Sequence, residues 1–164
     1  MRAIFYVVAQ CTGSLLAVTL IDILTNEASG VGIISAHTQL HPALSALQGV
    51  FVEFFLAFSL VLVVFGVTDE NKPDNRFLAP LAIGLTVTLG HLGTVTYTGS
   101  SINPARTLGT AVYTGIYDNH WVFWVGPILG GIVAAFLYTF VFAAPKDENE
   151  DGIVTIQKSM TKSP

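Results

Sequence analysis

The sequence predicts an all-α membrane protein built from four transmembrane helices and one re-entrant half-helix. Three observations carry this. Only 11% of the 164 residues are charged and 52% are hydrophobic, whereas roughly a quarter of a typical soluble domain is charged. The apolar residues come in long uncharged runs rather than amphipathic stripes. Between the last two runs lies a polar octet, Gly99 to Arg106. Inside a bilayer such a stretch survives only where it lines an aqueous cavity.

The first span is read as residues 3–23. Ala3 to Ile21 carry no ionisable side chain, and Arg2 and Asp22 bracket them. This is about the length needed to cross the hydrocarbon core. It is too long for a signal-peptide core and lacks a charged leader, so it is read as a retained span. Cys11 lies inside it as a small buried hydrophobe and, as the sole cysteine, has no internal disulfide partner. Gln10 must face protein rather than lipid, because an amide in hydrocarbon needs a partner. An ordinary interhelical hydrogen bond and support of a pore both satisfy that need. Residues 24–47 break into small and polar types with Gly30, Gly32, His37, His41 and Pro42, and read as a connecting loop. His37 and His41 have a metal-compatible spacing, but Pro42 and the glycines oppose a regular helix, so both are expected to be solvated.

The second span, residues 49–68, holds one charge, Glu53. A carboxylate inside a membrane is a functional candidate by default. It can shuttle protons or accept hydrogen bonds from backbone N–H groups of a loop dipping into the membrane. The second role is preferred, because the chain contains such a loop and no second buried acid for a relay. Asp69 to Arg76 form a charged turn, and the third span is placed at residues 77–92, with His91 near its far end. In the octet, Asn103 occupies a helix N-cap position and Pro104 the first helical residue, where a missing N–H costs nothing. The half-helix is placed at residues 103–113. Its unpaired N–H groups present partial positive charge to whatever they face. Residues 121–144 form the fourth span, opened by two tryptophans at interfacial positions. Residues 145–164 are polar and read as a disordered tail, in which Ser159, Thr161 and Ser163 beside lysines are regulatory phosphosites or, the preferred reading, unmodified residues.

Six of the seven basic residues (Arg2, Lys72, Arg76, Lys146, Lys158, Lys162) fall on one side of this four-span topology. That side, including the Asp69–Arg76 turn and the tail, is therefore expected to be cytoplasmic. The seventh is Arg106. Its position inside the re-entrant stretch favours a pore role. The net charge of −4 comes mainly from Lys146 to Asp151, and nothing forms a nucleic-acid-binding patch. No enzyme is expected, since Glu53, His91 and Ser100 are separated by a span and a loop with no nucleophile and base spacing.

The segments Gly90-His91-Leu92, Tyr97-Thr98-Gly99, Ile102-Asn103-Pro104-Ala105-Arg106 and Asn119-His120-Trp121-Val122-Phe123-Trp124-Val125-Gly126-Pro127, in this order, make residues 2–143 similar to the second half of an aquaporin (major intrinsic protein) chain. The resemblance implies a partial aquaporin-like fold in residues 1–144. It implies that Asn103 donates its amide to water at the pore midpoint and that Pro104 and Ala105 pack the half-helix end against its counterpart. Arg106 and His91 would belong to the narrow selectivity ring, with Ser100 contributing from the loop backbone. Glu53 and Gln10 match positions that brace re-entrant loops. His91 and Thr107 suit water, since glycerol-conducting relatives carry a small residue and an aspartate there. Ala111 and Phe123-Trp124 also resemble the water-selective branch, although packing alone accounts equally for the two aromatics. Ser100 stands where relatives often carry a mercury-sensitive cysteine. Against the family pattern, the first two spans and the first Asn-Pro-Ala loop are missing, and His41-Pro42-Ala43 does not replace them. The expectation is either a fragment or a short form that associates with other chains. The function implied is a passive water channel in the plasma membrane, without cofactor, with water as permeant and the lipid bilayer as setting, forming a homotetramer by family analogy. The alternatives are a channel for other small neutral solutes and a non-conducting short subunit that joins full-length channels.

Overall fold

The computed structural model describes residues 2–25, 36–69, 71 and 73–143, and among them every regular element is helical. The tail read as disordered, with Ser159, Thr161 and Ser163, lies outside the described residues. So do 26–35 of the first loop and Lys72 of the charged turn. In chain order the elements are α1 (Arg2–Thr25), α2 (Ala46–Thr68), a 3₁₀ turn (Pro73–Leu78), α3 (Ala79–Thr98), α4 (Pro104–Thr114) and α5 (Val122–Leu137), which ends in one wider π turn (Tyr138–Phe142). Among the described residues, four stretches are long and apolar enough to cross a membrane: Arg2–Thr25, Ala46–Thr68, Arg76–Thr98 and Val122–Phe142.

Two boundaries differ from the sequence reading for identifiable reasons. α2 starts three residues before 49 because Ser45 and Gln48 close a capping box. Gln48 N–H donates to the Ser45 hydroxyl, and the Gln48 side chain accepts from Ser45 N–H at 2.8 Å. α3 runs to Thr98, six residues past the end assigned at 92. Its threonines do not break it, because they return their hydroxyl protons to the helix; Thr94, for one, donates to the Gly90 carbonyl at 2.9 Å. Gly99, at φ 74°, then stops the helix in the left-handed conformation that glycine adopts without strain.

The core is the pairing of α2 with α5, held at backbone contact by two glycines one turn apart. A Cβ on Gly130 would lie 2.2 Å from the Phe54 carbonyl oxygen, and one on Gly126 would lie 2.8 Å from both the Val50 oxygen and the Glu53 Cβ. Small residues at such spacing let helices approach where no water is available to drive them together. α1 packs instead on α4, where a Cβ on Gly109 would meet the Ser14 hydroxyl at 2.1 Å. Val18 is the one buried residue of α1. The remainder of that helix, including Ile4, Phe5, Leu16 and Leu20, turns large apolar side chains outward. Val122, Phe123, Ala111 and Ala134 have no exposed surface.

Replacing Gly130 by Ala should therefore force α2 and α5 apart and cost about 1–3 kcal/mol. Gly84→Ala, whose added methyl meets nothing within 4 Å, should be neutral or mildly stabilising in helix α3. Thermal unfolding in detergent distinguishes the two, and equal melting temperatures would contradict the packing described.

Candidate functional site

The octet between α3 and α4 folds against its own residue preferences. After Gly99, Ser100 (φ 49°) and Ile102 (φ 59°) also take left-handed backbone conformations. For a β-branched residue such as Ile102 this is a true outlier, and each such residue costs about 1–3 kcal/mol unless its surroundings impose it. The constraint comes from α2. The two carboxylate oxygens of Glu53 accept from the backbone N–H groups of Ser101 at 2.9 Å and Ile102 at 2.8 Å. Glu53 has no exposed surface, so these charge-assisted bonds are what make its burial tolerable. Its geometry is that of an acceptor for a dipping loop rather than a member of a proton relay.

Hydroxyls close the remainder of the loop. Ser100 N–H donates to the Thr98 hydroxyl at 3.2 Å, and the Ser100 hydroxyl meets that of Thr94 at 2.7 Å. Ser101 and Thr107 hydroxyls lie 2.5 Å apart, and Thr107 lies 2.6 Å from Thr38. Apart from Ser100 and Thr107, none of these groups stands out in the sequence individually. The available signal is their density: five serines and threonines fall from Thr94 to Ser101, in a stretch where each needs an internal acceptor.

At the start of α4, Asn103 is extended (φ −132°, ψ 114°) and its side-chain oxygen accepts from Ala105 N–H at 2.9 Å. With the oxygen committed to the cap, the side-chain amide N–H groups remain to donate outward. Asn103 is exposed, and with Pro104 and Ala105 it borders a cavity of about 200 Å³ that Gln10, Cys11 and Trp124 also line. Gln10 differs from expectation. It is exposed and makes no hydrogen bond among the described residues, because α1 meets α4 through Ser14 and Gly109 rather than through this amide.

Arg106 follows one turn into α4. Its Nη1 is buried and has no hydrogen-bond partner among the described residues, while Glu53 acts on it as the opposing charge. His91 sits on α3 next to Gly90, where α3 approaches Leu56 and Ile102. Its Nδ1 lies 3.0 Å from the Val87 carbonyl. A carbonyl only accepts, so Nδ1 carries a proton, and in the tautomer this fixes, Nε2 is the acceptor. No hydrogen bond joins His91 to Arg106 among the described residues. Ser100 has no exposed surface; its side chain turns back onto α3, meeting the Thr94 hydroxyl, so that the contribution expected of it falls to its backbone.

The first loop is less solvated than its composition suggests. His37 is half-buried, with Nδ1 3.0 Å from the Thr110 hydroxyl of α4. His41 is exposed and anchors the loop through its backbone N–H, which donates to the Tyr97 carbonyl at 2.8 Å. No group of three metal-binding side chains forms among the described residues. On the connection before α5, the Trp124 indole N–H donates to His120 Nε2 at 3.0 Å. Trp124 thus joins His120 to the wall of the Asn103 cavity, whereas Phe123 is wholly buried packing. Burial pushes both His37 and His120 below the ordinary imidazole value of 6.5, and the positive charges of His120 and Arg106 lower His37 further.

Comparison with known proteins adds a family and a fold. The model of the family described as Major intrinsic protein matches residues 1–138. The chain is 43% identical over 145 residues to Aquaporin FA-CHIP of Pelophylax lessonae, covering 87% of this chain and 52% of that protein. It is 40% identical over 152 residues to Aquaporin-1 of Homo sapiens, covering 93% and 56% respectively. To Aquaporin-2 of Bos taurus it is 45% identical over 145 residues, covering 88% and 53%. The chain therefore spans about half the length of the curated relatives it matches. Among solved structures, the X-ray structure of the aquaglyceroporin from Plasmodium falciparum aligns with a TM-score of 0.70 at 25% identity, over 83% of this chain and 62% of that one.

Two outcomes follow from the site geometry. Glu53→Gln replaces an oxygen with an N–H donor opposite a backbone N–H, leaving one buried donor unpaired at a cost of about 1–3 kcal/mol. The loss should appear as a lower melting temperature and faster amide exchange at Ser101 and Ile102, and unchanged exchange there would contradict the bracing role. For the histidines, the folded values lie below 6.5, so the unfolded chain binds more protons in the interval beneath it. Their contribution is complete above about pH 6.5 and is lost as pH falls below that value. Melting temperatures measured from pH 7 to pH 5 should decline, and His37→Gln with His120→Gln should flatten that decline.

Proposed function

The chain belongs to the major intrinsic protein family, and on that premise we propose that it contributes a passive, bidirectional path for water across a membrane. It is an integral membrane protein of a family of channels, not enzymes. The observation that carries the reading is a helix that begins inside the fold, at Asn103, with its capped end and outward amide facing a cavity while Glu53 occupies the N–H groups of the loop before it. No cofactor and no chemical step enter this reading.

In it, Asn103 donates to a passing water oxygen, and Pro104 and Ala105 present the half-helix end for packing. Arg106 supplies fixed donors and a permanent charge that repels cations, and His91 narrows the path and offers Nε2 as an acceptor. Ser100 supports this ring from behind through Thr94, Glu53 holds the loop, and Gln10 forms part of the cavity wall. Thr107 and His91 favour water over larger solutes. The likeness to an aquaglyceroporin favours a second reading, conduction of small neutral solutes such as glycerol. The basic residues orient the Asp69–Arg76 turn and the tail toward the cytoplasm, in a plasma-membrane homotetramer.

Stopped-flow shrinkage of proteoliposomes carrying this chain tests the proposal. Fast water flow with low activation energy is expected, and His91→Gly should raise glycerol permeability about tenfold, the scale at which one pocket contact discriminates. Flow no faster than empty liposomes would overturn it in favour of a non-conducting subunit. Unchanged glycerol exclusion in His91→Gly would remove His91 from the filter.

A further inference from the structure

Resting on the reading of Asn103 and Arg106 as the permeant-facing pair, we propose that Thr38, in the loop before α2, is a positioning residue that sets solute selectivity by ordering the octet from outside the half-helix. Thr38 is 1% exposed, although it belongs to an irregular connection. Its backbone rests on Gly99, where a Cβ would come within 3.0 Å of the Thr38 Cα. Its hydroxyl enters a chain of three, with Thr38 and Thr107 2.6 Å apart and Thr107 and Ser101 2.5 Å apart. The chain ends at the Asn103 carbonyl, 3.0 Å from the Ser101 hydroxyl.

That terminal carbonyl gives the chain a direction. A carbonyl only accepts, and a hydroxyl has one proton. Ser101 therefore spends its proton on Asn103 and must accept from Thr107. Thr107, having donated, must accept from Thr38. Protons thus run from Thr38 through Thr107 and Ser101 to Asn103, and removal of the Thr38 hydroxyl takes from Thr107 its donor and from the two bonds beyond it the polarisation that a continuous chain supplies. The same Asn103 carbonyl accepts from Arg106 N–H at 3.1 Å and Thr107 N–H at 3.3 Å, and the Ser101 N–H is one of the two held by Glu53. A loose Ser101 hydroxyl consequently frees the cap from which both Asn103 and Arg106 project. Thr107 and Ser101 are buried, so the chain acts through the octet's order and not by touching a solute.

The test compares Thr38→Val, which keeps shape and removes the hydroxyl, with Thr38→Ser, which keeps the hydroxyl. In reconstituted protein, amide exchange across residues 100–107 should rise about fivefold in Thr38→Val, the factor carried by one net hydrogen bond, with exchange in α2 and α5 unchanged. The glycerol-to-water permeability ratio should rise with it, and Thr38→Ser should restore both. Unchanged exchange at 100–107, a rise spread over the whole molecule, a loosened octet with an unaltered ratio, or a Thr38→Ser variant as loose as Thr38→Val would each overturn the proposal. If the unsubstituted chain conducts no water, the channel reading fails by itself, and the exchange comparison alone decides whether Thr38 orders the octet.

Discussion

The structure depends on one buried carboxylate. Glu53 is fully enclosed between α2, α5 and the octet, and a charge in that position survives only because two backbone N–H groups meet it. The dependence runs both ways. Those N–H groups belong to a loop with Ser100 and Ile102 in left-handed conformations, which neither residue type adopts without compensation. Glu53 therefore stabilises a backbone that would otherwise relax, and the backbone supplies the donors that a buried carboxylate needs. Gly126 makes the arrangement possible by letting α5 lie directly against the Glu53 stem.

Once the loop is held, the beginning of α4 is set in direction, and its polarity becomes useful. Asn103 uses its oxygen inward on the cap and keeps its amide donors outward. Arg106 keeps a buried Nη1 that has no partner among the described residues. His91, with Nδ1 committed to Val87, keeps an acceptor. In the proposed channel these donors and this acceptor are the groups a small polar permeant would satisfy, and the permanently charged guanidinium among them would discriminate against cations.

A second layer, made of short hydroxyl side chains, connects this site to the loop before α2. Thr38, Thr94, Thr98, Ser100, Ser101 and Thr107 bond mostly to one another or to carbonyls. Such networks specify one arrangement when every member is satisfied, since each misplaced partner strands a buried donor. His37 and His120 extend the layer toward the periphery, joining Thr110 and Trp124. Their depressed titration places a pH-sensitive contact beside, not within, the permanently charged centre.

The sequence by itself determined the features that depend on composition and on neighbours in the chain. The four spans follow from uncharged runs and the start of α4 follows from Asn103 and Pro104, because capping chemistry and apolar patterning are local; the end of α3, read at 92, lies instead at Thr98 before Gly99. Glu53 was legible as a brace since a lone intramembrane acid near a dipping loop has few other uses. Only the tertiary structure decided what each polar group faces. It turned the Ser100 side chain away from open space, exposed Gln10 where a buried partner was expected, carried His37 onto Thr110 and Thr38 onto Thr107 across some 70 residues of chain, and selected Gly126 and Gly130 as the contact points of α2 and α5. The reason is physical: a hydroxyl or amide in sequence states only that it needs a partner, and which partner it finds is set by how helices distant in the chain are pressed together.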